Sequence, residues 1–543
     1  MSTDSPTCVD GDLDRRVRAN QERLAADLTQ DYDFIVCGAG SSGCVVARRL
    51  AEDPAVNVLL LEAGGSDETP SVTESALWHT NLGGVTDWAF QAEPNQHLNG
   101  RALTLSMGRV LGGGSSINLM AWARGHMADW DFFAAQSGNT AWSYASVLDI
   151  YRRIEDWHGA PDAHYRGSGG PVYVQPKRNP HPAAPVVLEA AKCLGIGRFE
   201  HPNGKMMEGR GGAAILEVRA RDGKRQSVFR SYTYPYMDRE NLTVLSNALV
   251  RRVIIDRDRA LGVEVCYRRE VRQFMARTEV VLSMGAINTP KALMLSGIGD
   301  QGKLRSLGIP VKQDLPGVGR NFQDHLAFSC MWEVPAGHPV DQPGDAVMFW
   351  PSHDGLDEPD LFVCQGALLV ASAENTARFG LPDTGWTMVG ALTQPKSRGR
   401  VELTGSDPDH PVRVTENGLS HPDDMRLAVK CVENMREVGN SPLLRPFFKR
   451  EVMPGDLRGE DLRAYLRDAA STYWHHVGTA KMGLDPLAVV DGSLKVYGIE
   501  NLRVADGSIM PRITSGNTMA PCAVIGERAA EEIKAEHMLA VSA

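Results

Sequence analysis

Residues 32–53, YDFIVCGAGSSGCVVARRLAED, restrict the possible folds more than any other stretch. An apolar run enters a glycine-rich turn, Gly38-x-Gly40-x-x-Gly43, and then a segment with Ala, Val and Leu at helical spacing. VNVLLLEAGG follows as a second apolar run, so the order strand, turn, helix, strand predicts a βαβ unit opening a doubly wound sheet. Glycines at this spacing let backbone N–H groups approach a pyrophosphate, and the start of the helix favours negative charge. Glu62 ends the second strand, 19 residues after Gly43, where a carboxylate can accept both hydrogen bonds of an adenosine ribose. The predicted ligand is a dinucleotide, FAD or NAD, with NADP disfavoured because a Glu here repels a 2′-phosphate.

A length of 543 residues exceeds one ordinary domain and predicts two or three. A formal net charge of -10 argues against a general nucleic-acid binder, which needs clustered Lys and Arg. No apolar run reaches the roughly 18 residues of a membrane span. The opening MSTDSPTCVDGDLDRRVRANQERLAADLTQ is acidic and polar where a signal peptide is basic and then apolar, so the expected location is cytoplasmic. The 9 cysteines are scattered without CxxC spacing, which predicts buried reduced thiols rather than disulfides or a zinc site.

Residues 13–28 read as a short charged helix lying on the surface ahead of the first strand. Residues 100–125 are glycine-rich with few helix or strand cues and predict a long functional loop or a helix entry. LTVLSNALVRRVIIDRDRALGVEVCYRR reads as strands with turns, and TEVVLSMGAINTPKALMLSGIG returns to strand, glycine turn and helix. From about residue 330 to 465 short strands and frequent Pro, Asp and Gly predict a separate β-rich region, with a helix at HPDDMRLAVKCVENMREVG. A last helix is expected near 521–537.

Three further stretches carry a family resemblance. GRVLGGGSSINLMAWARG (108–125), GAINTPKALMLSGIG (285–299) and the block from WHHVGTAKMG through SGNTMAP resemble signatures of the glucose–methanol–choline (GMC) oxidoreductases. DWAFQAEP, DLPGVGRNFQDH and QPKSRGRVEL also look like landmarks of that family, in its order, from about residue 32 to 537. The resemblance implies FAD, and an α/β fold in which a Rossmann-like FAD-binding domain carries a discontinuous α+β substrate-binding domain built on an antiparallel sheet. The expected division is a leader at 1–30, FAD-binding segments at 31–165, 205–330 and 466–543, and substrate-binding segments at 166–204 and 331–465. The implied cofactor contacts are Gly38, Gly40, Ser41, Ser42, Gly43, Glu62 and Ala63 in the first turn and strand; Trp88, Arg109, Gly113, Gly114, Ser115, Asn118 and Ala121 in the glycine-rich loop; and Val250, Asp506, Gly507, Asn517, Thr518 and Met519 beyond it. Ile117 stands where some members link a histidine covalently to the flavin; isoleucine has no nucleophile, so noncovalent FAD is expected.

Oxidising an alcohol with a flavin requires removal of the hydroxyl proton and a hydride moving to flavin N5. A positioned base is needed, and histidine has the pKa for it. Aligned on the family's H-x-x-G-T, His475 falls on the base and Asn517 on its partner, so the pair is His–Asn. Neighbouring side chains on a strand alternate faces, so if His475 faces the flavin, His476 faces away, as a histidine supporting the site from behind or lying in the core, bonded to backbone. His126 and His325 are expected to serve structure or the pocket wall. Tyr473, Trp474, Phe349 and Trp350 are expected to wall the substrate pocket.

The expected reaction is oxidation of a primary alcohol, best an aryl or heteroaryl carbinol, to an aldehyde, with onward oxidation through its hydrate left open. Choline is the alternative; a quaternary ammonium wants an aromatic cage and a carboxylate, for which Glu374 and Asp360 are candidates. A hydroxynitrile lyase with a spectator flavin is the rival from another class. O2 and other electron acceptors both stay open.

Overall fold

The computed structural model describes residues 7–335 and 345–540. Residues 1–6 of the expected leader, 336–344 of the expected β-rich region and the side chain of Cys8 lie outside the described residues.

The first sheet is built on the βαβ unit. Its strands run in the order Leu242–Leu245, Val58–Leu61, Asp31–Cys37, Glu270–Leu282, Arg259–Tyr267, Ala248–Asp256, with Leu502–Val504 also paired to Glu270–Leu282. The first four neighbours and Leu502–Val504 are parallel, with Ile35 opposite both Leu59 and Val280. The last three form an antiparallel meander. Phe34, Ile35, Val36 and Cys37 are fully buried, as are Val58, Leu59, Leu60 and Leu61, because helices cover the parallel part. The helices Ser41–Leu50 and Met519–His537 pack so closely that a Cβ on Gly526 would lie 2.6 Å from the Ser42 carbonyl oxygen.

The N-terminal helix, Thr7–Ala26, lies along the sheet's edge strand. Gln21 donates to the Leu242 carbonyl at 2.9 Å and accepts from the Val244 N–H at 2.9 Å. It therefore occupies edge groups that would otherwise be free to pair with another chain.

The second sheet is antiparallel throughout, in the order Arg450–Met453, Leu326–Glu333, Gly385–Leu392, Leu361–Gly366, Ala346–Trp350, Gly212–Ile215, with Ser471–Thr472 added to Leu326–Glu333. The chain crosses into it more often than the expected division allows. Gly212–Ile215, expected among the FAD-binding segments, is its edge strand, and Ser471–Thr472 joins it from the C-terminal segment. Short strands contribute by pairing with distant partners, and such partners leave no local trace in sequence. The expected late helices are Pro422–Gly439 and Met519–His537. The 100–125 loop holds the short strand Thr104–Leu105, paired antiparallel with Phe90–Gln91, and the short helix Gly114–Ile117.

Of the described cysteines, all are free and four are buried, whereas Cys193 is exposed, contrary to expectation. No helix among the described residues is long and apolar enough to cross a membrane.

Candidate active site

One cavity of about 520 Å³ lies between the two sheets and collects residues from nearly every stretch singled out above. Its dinucleotide end is made by backbone. Gly43 sits where a Cβ would lie 1.9 Å from the Gly38 carbonyl oxygen, so only glycine lets the helix start this close to the strand. The second glycine loop packs on the first: the Gly112 N–H donates to the Ala39 carbonyl at 2.7 Å, and a Cβ on Gly113, whose φ is 52°, would meet Gly40 Cα at 2.7 Å. Glu62 is buried at the end of its strand, accepting from the Ala39 N–H at 3.0 Å and the Gly64 N–H at 2.8 Å. Burial pushes its carboxyl up to about 7 against the pull of these donors.

Of the expected cofactor residues, Gly38, Gly40, Ser41, Ser42, Glu62 and Ala63 line this cavity, as do Trp88, Gly113, Gly114, Asn118, Ala121 and Val250. Asp506, Gly507, Asn517, Thr518 and Met519 line it from the C-terminal segment. Three expected contacts do not line it. Gly43 acts in packing, as above. Arg109 lies over the face of Trp88, 4.9 Å from the ring centre, and pulls Glu62 toward ionisation from behind. Ser115 is fully buried, donating to the Gly112 carbonyl at 2.7 Å and accepting from the Val228 N–H at 3.0 Å. Asp506 is committed to protein donors, the Gly285 N–H at 2.9 Å, the Thr289 hydroxyl at 2.6 Å and the Ser508 N–H at 2.7 Å.

At the other end stands His475. Its Nδ1 lies 2.9 Å from Nδ1 of His325, and its Nε2 lies 3.1 Å from Nδ2 of Asn517. The protons in this chain can be assigned from one end. His325 Nε2 is 2.9 Å from the Thr393 carbonyl, which only accepts, so that nitrogen carries the proton. In the neutral ring His325 Nδ1 is then bare and accepts from Nδ1–H of His475. That leaves His475 Nε2 bare, accepting from the Asn517 amide. Both rings are neutral: burial lowers His325 to about 4 and His475 to about 3, the latter helped by the neighbouring His325. The site therefore presents an unprotonated ring nitrogen beside an amide donor, which is what a general base for a hydroxyl proton requires.

Both neighbouring histidines line the cavity, so His476 does not face wholly away as expected; their rings part, but not by strand alternation. Ser471–Thr472 ends the strand, and Trp474 turns the chain with a φ of 60°. His475 stacks parallel to Tyr473, ring centres 5.4 Å apart. His476 stacks on Phe322 at 5.5 Å and meets the Asp324 carboxylate at 3.4 Å through Nε2, a side chain rather than the expected backbone. Asp324 also accepts from the Thr472 hydroxyl and, at 2.9 Å, from the backbone N–H of His475. Burial raises its carboxyl, but His476 and Thr472 outweigh that and hold it below the ordinary range. The backbone of the base is thus held by a charge.

The expected pocket wall is partly displaced. Tyr473 and Trp474 line the cavity, with Trp474 edge-on to Trp78 at 6.4 Å. Phe349 sits behind Tyr473 in a buried aromatic group with Phe362 and does not line it. Trp350 points to the opposite face of its strand, into the core on the side where the helix Ala183–Ala190 packs, because adjacent strand residues cannot share a face. Glu374 and Asp360 are absent from the cavity wall: Glu374 pairs with Arg101 at 3.1 Å, and Asp360 accepts from Ser352. His126 caps the helix Met127–Ser137. Sequence reasoning underrated His325, whose place in NFQDHL beside Asp324 was its only signal, and missed Trp78, Leu368 and Val370, which line the cavity.

A flat, dinucleotide-sized group fits these residues: bare backbone at one end, a buried carboxylate for a diol, and a neutral base at the other. Two matches to the description GMC oxidoreductase cover residues 32–327 and 395–526. The oxygen-dependent choline dehydrogenase of Sinorhizobium fredii is 35% identical over 541 residues, spanning 94% of this chain and 97% of the relative. An alcohol dehydrogenase [acceptor] of Pseudomonas putida is 34% identical over 542 residues, with 92% and 95% covered. The crystal structure of pyridoxine 4-oxidase from Mesorbium loti superposes with a TM-score of 0.87 at 30% identity, over 92% of this chain and 99% of that one. These matches run through both sheets and both ends of the cavity, and the chain belongs to the GMC oxidoreductase family.

Proposed function

We propose that this FAD-dependent oxidoreductase of alcohols converts an uncharged primary alcohol, aryl or heteroaryl, to its aldehyde. The observation that carries the reading is the bare Nε2 of His475 within 3.1 Å of the Asn517 amide. A substrate hydroxyl entering between them gives its proton to Nε2 and accepts from Nδ2, replacing their direct hydrogen bond. Asn517 thereby orients the carbinol, an effect of positioning rather than of acid strength. The chain relayed from the Thr393 carbonyl through His325 keeps His475 in the tautomer that can accept. Gly38, Gly40, Gly113 and Glu62 would hold the dinucleotide, and Ile117 beside them leaves the flavin noncovalently bound. When bound, FAD supplies the hydride acceptor.

The wall near His475 favours an uncharged substrate. Trp78, Leu368, Val370, Val389, Tyr473 and Trp474 supply apolar and aromatic surface. Among the described residues, the carboxylates lining the cavity are Glu62, Asp409 and Asp506. The first is tied to the glycine turn, the last to its own three donors, and Asp409 pairs with Arg251 at 3.2 Å. A quaternary ammonium would meet aromatic faces without a counter-charge. Pyridoxine, named for one similar structure, is a heteroaryl carbinol, whereas choline is named for a similar sequence.

Anaerobic mixing with benzylic alcohols, pyridoxine and choline decides the matter. Bleaching of the visible flavin band by the aryl substrates at concentrations where choline does nothing is expected. Preferential bleaching by choline would overturn the substrate reading, and cyanohydrin cleavage without bleaching would replace oxidation by lyase chemistry. Repeating the turnover with peroxide detection and with an artificial acceptor separates oxidase from dehydrogenase.

A further inference from the structure

The chain pairs most of its deeply buried arginines with carboxylates. Arg124 meets Glu155 at 2.6 Å, Arg166 meets Glu155 at 3.2 Å and also Glu217, and Arg503 meets Glu279 at 2.7 Å. Arg219 and Arg225 break this pattern. They are 0% and 5% exposed, and no carboxylate accepts from either among the described residues. Arg219 donates to the Gln226 carbonyl at 2.6 Å and to Oδ1 of Asn118 at 3.4 Å. Arg225 donates to the carbonyls of Val72 at 2.8 Å and Ser115 at 3.2 Å, and to the same Asn118 Oδ1 at 3.0 Å. Nε of Arg219 and one terminal nitrogen of Arg225 are buried without an acceptor.

Two like charges so placed are costly to desolvate. Burial pulls both guanidiniums down to about 9, with Arg225 further disfavoured by Arg219 beside it. What they share is Asn118, which lines the cofactor cavity next to Gly113 and Gly114. Its Oδ1 also accepts from the Met120 N–H at 3.0 Å, so three donors occupy that oxygen. The Nδ2 group is the end left to a ligand, and it is polarised by two positive charges behind it.

We propose that Arg219 and Arg225 are positioning residues whose uncompensated charge is answered by the cofactor, transmitted through the Asn118 amide and the Ser115 carbonyl. FAD brings two negative charges on its pyrophosphate, and the two-electron-reduced ring adds a third. The pair therefore tightens FAD binding and makes the flavin easier to reduce, while the FAD-free chain bears the cost. The proposal rests on the FAD site and not on which alcohol is oxidised.

Asn118→Asp would place the missing carboxylate between the guanidiniums, and Asn118→Ser would remove the amide without adding charge. The readouts are FAD dissociation followed by flavin fluorescence, the flavin reduction potential of the holoenzyme against redox dyes, and melting of the full chain with FAD removed. For Asn118→Asp the expected results are a rise in melting temperature without FAD, FAD affinity lower by about tenfold or more, and a more negative potential. For Asn118→Ser, which leaves both charges in place but removes one of their two routes to the flavin, the potential should fall by less than in Asn118→Asp, and the FAD-free melting temperature should not rise. If the two variants shift the potential equally, or if Asn118→Asp lowers the FAD-free melting temperature, the amide acts by shape alone and the proposal is wrong. None of these readouts involves an alcohol, so failure here and failure of the substrate reading are separable.

Discussion

The two ends of the cavity are built in opposite ways. The dinucleotide end rests on one short run of chain, residues 38–65, and on a second glycine loop whose backbone touches the first, with Val250, Asp506 and Gly507 added from farther along the chain. Its specificity lies in missing side chains and in one buried acid. The catalytic end is assembled from Asp324 and His325, the Thr393 carbonyl, Thr472 through His476, and Asn517, which share no segment. Its specificity lies in a directed chain of hydrogen bonds. A local motif can shape backbone; a proton relay needs several elements docked at hydrogen-bond precision.

That contrast says the two ends should fail separately. The largest effect is expected from His475→Ala: kcat should fall about a thousandfold, with FAD absorbance retained. If flavin is lost together with activity, the ends are not independent. Gly43→Ala should do the reverse, because its Cβ would lie 1.9 Å from a backbone oxygen and the turn must move. FAD affinity should drop about a hundredfold, roughly 2.7 kcal/mol, while saturating FAD restores most of kcat.

His325→Leu sharpens the comparison within the catalytic end. Leucine gives Nδ1–H of His475 no acceptor and frees the other tautomer, so kcat should fall about tenfold with FAD binding intact. His325→Gln, whose amide oxygen can accept, should recover part of that loss. A uniform loss in both variants would point to packing rather than to the relay.

The smallest effect is one of pH. His325 and His475 have folded pKa values lowered to about 4 and about 3, below the ordinary 6.5. The unfolded chain therefore binds more protons between about pH 6.5 and 4. The stability owed to these neutral rings is complete above about 6.5 and is lost as pH falls through that window, on the order of 1 kcal/mol per pH unit for each ring. Urea melts of the FAD-free chain at pH 6.5, 5.5 and 4.5 should show a shallower decline in His475→Ala than in the parent. Equal slopes would mean that the rings are not held neutral.

Much of the fold was legible because its signals are local. The βαβ unit and the late helices follow from apolar periodicity and glycine turns at nearly their observed bounds, whereas the meander shows only as strands with turns, and its long strand Glu270–Leu282 is legible only from Thr278 onward. Gly212–Ile215 was not legible, since an edge strand of four residues is defined by a partner in another part of the chain. In the site, Phe349 and Trp350 show how a correct region can hide a wrong direction. The β-rich region is legible in sequence, but only the sheet's pairing and the helix behind it decide which residue of the strand Ala346–Trp350 faces which side. For His475 and His476 the rings diverge although both line the cavity, and the cause is the left-handed turn at Trp474 and the pull of Asp324.

The amino-acid order was sufficient for the dinucleotide loop and the family, and it singled out the two groups proposed to meet the hydroxyl, because glycine spacing and short strings such as H-x-x-G-T carry their meaning within a few residues. The folded chain alone decided that His325 is the partner of His475, that its relay leaves Nε2 bare, that Trp350 lies in the core, and that Arg219 and Arg225 stand unpaired behind Asn118. Those are relations between side chains far apart in sequence. Hydrogen-bond direction and charge compensation depend on distances of a few ångströms, which exist only once the sheets and loops have docked.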